Sequence, residues 1–183
     1  MNITDSERLV LRDFNKDDFS DLMELSINWK SAPGPEFDKW PINEDDCKGF
    51  LEYLSTHTVN ESQKLGDKDH HFCAIYLKEK EKIIGLLAIN PSNDHLLVNK
   101  TVDLGHVIHS DFQDNDIDRE AIEMIVGFIF RKMIDVEMIT TGNFPNEEQI
   151  RPLKNLGFIK DDIEDGIYEL KRTNWVKNKL NKS

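Results

Sequence analysis

The chain has 183 residues, 35 acidic against 23 basic side chains and a formal charge of −12, with 38% hydrophobic and 9% aromatic residues. That is one domain's worth of chain with enough apolar matter for a core, so disorder is not expected. A negative surface repels nucleic acid and anionic membrane, which excludes both as main partners and favours cationic ligands.

The opening MNITDSERLV lacks a basic segment followed by an apolar one, and no stretch approaches the roughly 18 apolar residues of a membrane span. A cytosolic protein without membrane attachment is expected. Glu7 to Phe14 alternates Leu9 and Leu11 against Arg8, Val10 and Arg12, the pattern of a strand. Asn15 can cap a following helix with Asp18 at its third position and Phe19, Leu22 and Met23 on one face. Asn43 repeats the device. Glu44, Asp45 and Asp46 occupy the positive first turn, and Cys47, Phe50, Leu51 and Leu54 follow at i, i+3, i+4 and i+7. Cys47 and Cys73 show no CxxC spacing and no histidines at zinc-site distance, so both read as buried structural thiols.

Phe72 to Leu77 and Ile83 to Ile89 are apolar, β-rich runs joined by the solvated turn Lys78 to Lys82, and Thr101 to Ile108 is a further strand. Ile117 to Met133 reads as a long helix, apolar almost all round and therefore buried on most sides. Asp135 to Thr141 is a strand and Glu147 to Asn155 a short helix, which Pro152 is expected to interrupt after its first turn. Phe158 to Ile163 and Ile167 to Lys171 form a hairpin turned at Asp165 and Gly166. The order β-α-α-β-β-β-α-β-α-β-β, without repeat or linker, describes a single α/β domain over residues 1–183. Its central sheet is mixed and mainly antiparallel, with helices on both faces and one strand-helix-strand crossover.

Four stretches carry a family resemblance: SERLVLRDF (Ser6 to Phe14), WPINEDDCKGFLEYL (Trp40 to Leu54), DLGHVIHSDFQDNDIDREAI (Asp103 to Ile122) and PNEEQIRPLKNLGF (Pro145 to Phe158). In this order the chain resembles the GNAT superfamily of acetyl-CoA-dependent N-acetyltransferases, nearest the branch of the Rim-type ribosomal-protein N-terminal acetyltransferases. The resemblance implies that Val107, Ile108 and His109 lie beside the donor. It further implies that Gln113, Asn115, Asp116, Ile117 and Asp118 form the turn and helix start that receive its pyrophosphate, and that Asn146 contacts pantetheine while capping the next helix.

A phosphate turn at a helix N-terminus needs backbone N–H groups aimed at the anion and small residues for close approach. Gln113 matches the family pattern, but Asp114 and Asp116 stand at glycine positions, Asn115 at the basic one and Asp118 at a small-residue one. Like charges in contact cost from about 1 kcal/mol in water to about 4 kcal/mol at an effective dielectric of about 20. Asp118 could instead cap the helix, which withdraws an N–H from the anion. The three aspartates also mimic the first half of a calcium loop. Arg119 and Ile125 occupy the places of its glycine and bidentate glutamate, so no metal is expected.

Asp103 stands where several branches of the family carry a glutamate base, and an ordinary aspartate needs burial to serve as one; the other reading is a solvated strand residue. His106 and His109, at i and i+3, point to opposite faces of a strand, and His106 is the second catalytic candidate. Tyr168 is a distant candidate acid. Trp29, Trp40 and Trp175 could line a cleft or pack. The expected function is acetyl transfer from acetyl-CoA to a primary amine of a protein N-terminus, a polyamine or an aminoglycoside-like molecule, by a monomer or homodimer. The alternative is a GNAT-fold ligand-binding or interaction module that has lost catalysis through its acidic loop.

Overall fold

Two asparagines start the helical half of the molecule. In the computed structural model, which describes residues 2–27, 41, 43–59, 70–90, 100–112, 116–142, 147–162 and 164–180, the Asn15 side chain accepts from the Asp17 amide at 2.8 Å. Asp18 Oδ2 returns the bond to the Asn15 amide at 2.7 Å, closing a capping box on the 3-10 turn Lys16–Asp18. Helix α1 (Phe19–Ile27) follows directly. Asn43 accepts from the Asp46 amide at 2.9 Å and opens α2 (Glu44–Thr56). Asp18 is also held by Arg12 through paired bonds of 2.7 and 2.8 Å, which lets a buried carboxylate persist in the core wall.

The strands are β1 (Asn2–Asp5), β2 (Leu9–Arg12), β3 (His71–Leu77), β4 (Lys82–Asn90), β5 (Thr101–Ile108), β6 (Met138–Gly142), β7 (Ile159–Lys160) and β8 (Ile167–Lys171). They form one eight-stranded sheet in the order β1-β2-β3-β4-β5-β6-β8-β7. Every pair is antiparallel except β5 with β6, whose crossover is helix α3 (Ile117–Lys132). The mixed, mainly antiparallel sheet and its single crossover are as expected from the sequence.

Two cores flank the sheet. On one face Leu22 and Leu25 of α1 and Cys47, Leu51 and Leu54 of α2 pack on Phe72, Ala74, Leu86, Ala88 and Val107. On the other, α3 packs through Ile122, Ile125, Val126 and Ile129 with Ile150 and Leu153 of α4 (Glu147–Leu156) on Leu87, Ile89, Leu104 and Ile108. The burial of α3 from Ile125 to Phe130 follows from its all-round apolar sequence.

The structure differs from the expected elements in several places; the strand expected over 158–163, for one, is confined to Ile159–Lys160. Polar β1 exists because it pairs with β2, and the strand expected over 7–14 is confined to Leu9–Arg12. The chain leaving α3 turns at Met133 and is drawn in by Lys100, whose carbonyl accepts from Glu137 and Met138, so β6 starts at Met138 rather than Asp135. Pro152 does not interrupt α4, which runs unbroken through it. A fifth helix, α5 (Arg172–Leu180), begins where β8 ends and lies on α3, with Trp175 against Phe130 at 5.5 Å between ring centroids.

Candidate functional site

The centre of the sheet is where its one parallel pair forms and parts. β5 and β6 are in register at Thr101 with Met138, Val102 with Ile139, and Asp103 with Thr140. Beyond Asp103 that pairing stops, while β5 continues along β4 through Leu104–Ile108. Two strands that share an origin and diverge leave a wedge whose wall is the β5 main chain. An extended chain bearing amides can be held there as an added strand is.

Asp103 and Thr140 stand at the apex. Thr140 Oγ1 donates to Asp103 Oδ1 at 3.1 Å, and both side chains are half-buried. Alternation along β5 puts Asp103 on the face of Gly105 and Val107, the face that carries α1 and α2. Gly105, next on that face, is buried and adds no side chain beside Asp103.

His106 lies on the reverse face. It shares a cross-strand row with Leu87 and Cys73, both of the α3-side core. Its Nδ1 is shut off from solvent, and burial pushes the imidazole down to about 4. The two catalytic candidates of the sequence are thus separated by the sheet itself, and only Asp103 looks toward α1 and α2. His109, on the opposite face from His106 as the spacing requires, is buried where β5 ends. Its amide donates to the Ile84 carbonyl at 2.7 Å, its Nδ1 accepts from the Asp111 amide at 3.2 Å, and its Nε2 is 3.6 Å from Glu24 of α1. That arrangement fixes the turn leading toward α3. Val107 and Ile108 are buried on alternate faces beside it.

At the α3 N-terminus, Asp116 is the residue before the first helical turn and adopts φ 57° and ψ 5°, the left-handed conformation that glycine takes without strain. The backbone of a glycine turn is therefore kept with an aspartate in it. Ile117 is buried in the core. Asp118 is not the cap, as the sequence suggested, but the second residue of the helix. It is 7% exposed, and its Oδ1 accepts from the Arg119 amide at 2.8 Å. Burial raises its carboxyl above the usual carboxylate range and the Asp116 charge adds to the rise, against the Arg119 amide and the Arg151 charge. The Arg119 side chain is already taken by Asp116 at 3.3 Å and Glu123 at 3.8 Å. Gln113, Asn115 and Asn146, together with Trp29 and Trp40, lie outside the described residues.

A pantetheine thioester and a pyrophosphate thus meet different receptions. The wedge between β5 and β6 fits an extended amide arm. The first turn of α3 presents a carboxylate where an anion would seek amides, and does not fit a pyrophosphate.

Among the described residues no group of three or more histidine, cysteine, aspartate or glutamate side chains is gathered as a metal site, and no helix is long and apolar enough to cross a membrane. Cys47 and Cys73 are buried free thiols; burial pushes Cys47 up to about 11 and Cys73 higher still, which leaves neither a ready nucleophile. Tyr168 faces the α3-side core rather than Asp103, and Trp175 packs on α3. Thr140 was not visible as a functional residue in the sequence. Its partnership with Asp103 needs the β5–β6 register, which local pattern does not carry.

A family model described as an acetyltransferase (GNAT) domain matches residues 8–159. A search of curated proteins by sequence finds no match. Among solved structures, the ribosomal-protein-S5-alanine acetyltransferase of Vibrio fischeri superposes with a TM-score of 0.65 at 17% identity, over 94% of this chain and 97% of its own. A GNAT-family acetyltransferase of Bacillus anthracis gives 0.69 at 16% identity over 94% and 99%. A mutant spermidine/spermine N-acetyltransferase of Vibrio cholerae gives 0.67 at 13% identity over 95% and 99%. These likenesses establish the fold. With the sheet parting after Asp103 and the family model spanning β2 to β7, the chain belongs to the GNAT family of acetyltransferases.

Proposed function

We propose that this chain transfers an acetyl group from acetyl-CoA to a primary amine, at the apex of the wedge and on the α1–α2 face of the sheet, with Asp103 as the base. The observation that carries this reading is the end of β5–β6 pairing at the hydrogen-bonded pair Asp103 and Thr140. The thioester arm lies along β5 in the position of an added strand, and a main-chain N–H of β5 polarises its carbonyl. The acceptor enters as ammonium and must lose a proton before it can attack. Asp103 takes that proton. The amine nitrogen bonds to the thioester carbonyl carbon, the carbon–sulfur bond breaks as the nitrogen gives up its second proton to solvent, and the thiolate leaves and is protonated from solvent. Thr140 orients the Asp103 carboxylate by donating to Oδ1.

Two solved relatives of the fold are named for an alanine of ribosomal protein S5 and for spermidine or spermine. Both are amines, and a chain of charge −12 favours a cationic acceptor of either kind in a cytosolic setting.

Replacing Asp103 with Asn, isosteric but unable to take the proton, should lower kcat by about 10²- to 10⁴-fold with the KM for acetyl-CoA little changed. Steady-state kinetics with spermidine and with an alanine-led peptide as acceptors measures this. Full activity in the variant would overturn the base. The second reading, a module without catalysis, is supported by Asp118 holding the Arg119 amide, and a failure to bind acetyl-CoA at millimolar concentration would favour it.

A further inference from the structure

We infer that this chain selects its donor by the acyl-pantetheine arm alone, the nucleotide end being refused at helix α3, so that pantetheine thioesters lacking the nucleotide serve as well as acetyl-CoA. The inference deepens the reading of the chain as an acetyltransferase and rests on it.

The two ends of the donor are served by separate parts of the fold. The arm is met by β5, whose pairing with β6 ends at Asp103. Its recognition is by main-chain hydrogen bonds to amides and needs no charge. The diphosphate would be met by the start of α3, where this chain has placed its own anion. Asp118 is 7% exposed and its carboxylate takes the Arg119 amide, one of the first-turn donors that an incoming phosphate would use. Asp116 precedes it with a side chain that is 71% exposed and paired with Arg119, a further carboxylate at the start of the helix.

The nearby cations are engaged. Arg119 pairs with Asp116 and Glu123. Arg8 is held by Glu120 and by the Asp116 carbonyl, and Ser6 donates to the same Glu120. Among the described residues at this turn, Asp116, Asp118 and Glu120 stand beside Arg8, Arg119 and Arg151, whose charge acts on Asp118, so the cations that a pyrophosphate would use already face carboxylates of this chain. A pyrophosphate arriving here must displace a buried carboxylate from an amide and then lie beside it. An arm without phosphate meets none of this.

The test is calorimetric binding of acetyl-CoA and of acetyl-pantetheine to the full chain at low ionic strength, with a wild-type protein and the variants Asp118→Asn and Asp116→Gly. The expected result is that the wild type binds the two donors within about threefold of each other. In each variant the acetyl-CoA affinity rises roughly tenfold relative to acetyl-pantetheine, because one like charge has been removed from the turn. Asp116→Gly also suits the left-handed backbone there, so it stays informative should the buried Asp118 substitution impair folding. A wild type that prefers acetyl-CoA by more than about tenfold overturns the inference while leaving the acetyltransferase reading intact. So does a loss of acetyl-CoA affinity in Asp116→Gly, which would show that the aspartate helps to hold the donor. Binding of neither donor at millimolar concentration overturns the acetyltransferase reading, and the inference with it.

Discussion

His106 is the residue whose environment departs furthest from that of its free side chain. Enclosed on the α3 side of β5, its imidazole titrates near 4 in the folded chain against 6.5 when unfolded. A depressed folded value means that its contribution to stability is complete above pH 6.5 and is lost as the pH falls through about 4, since only the unfolded chain then binds the proton freely. The span from 6.5 to about 4 corresponds to at most about 3 kcal/mol. Urea unfolding between pH 7 and pH 4 should show the wild type losing more stability than His106→Gln over that interval. Parallel curves would mean that the ring is solvated. Sequence alternation correctly divided His106 from His109. It did not say which face carried which helices, because that depends on where α1 to α4 pack, and so Asp103 and His106 stood together as catalytic candidates. Asp103 was legible from its motif, whereas Thr140 came only with the register of a parallel pair formed across α3.

At the scale of elements, the best-marked boundaries were those with a chemical stop or start in the sequence. Asn15 and Asn43 cap as their side chains predict, and Thr101 to Ile108 forms a strand with those same ends. Elements held by tertiary contacts were missed. α5 has no apolar stripe, and its anchor is Arg172. That guanidinium donates to the Val136 carbonyl at 2.7 Å, to Met133 at 2.9 Å and also to Phe130, and it lies over the Phe130 ring at 5.0 Å. Phe130 is in the last turn of α3 and Met133 is its cap residue, so the guanidinium sits at the helix C-terminus, where a cation suits the dipole. Replacing Arg172 with Met keeps the stem and removes the fork, which should cost about 2–4 kcal/mol in denaturant unfolding. Arg172→Lys keeps the charge and should recover less than half of that, since an ammonium cannot span three carbonyls. A loss below about 0.5 kcal/mol would show that water replaces the fork. Pro152 argues in the other direction. Its expected break is absent because a helix packed through Ile150 and Leu153 tolerates one missing amide donor.

Taken whole, the molecule ties both ends of its described chain to one helix. Ser6 and Arg8, from the turn between β1 and β2, hold Glu120 in the opening turns of α3, and Arg172 and Lys179, from the last helix, hold carbonyls at its close and Glu123. The matched family region ends at residue 159, so the clamp at the far end is built from chain beyond it. Helices ordinarily exchange their terminal amides fastest, because fraying needs only local opening. α3 cannot fray at either end without first releasing a segment from the opposite end of the sequence. Amide hydrogen exchange should therefore find the first and last hydrogen-bonded turns of α3 protected almost as strongly as Ile125 to Ile129, opening with the whole domain, with Arg172→Met freeing the last turn and leaving the first slow. Early exchange at both ends of the wild-type helix would break this account. If it holds, the edge of the donor site inherits its rigidity from the termini, and a cut or fusion close to either one will be felt at the wedge.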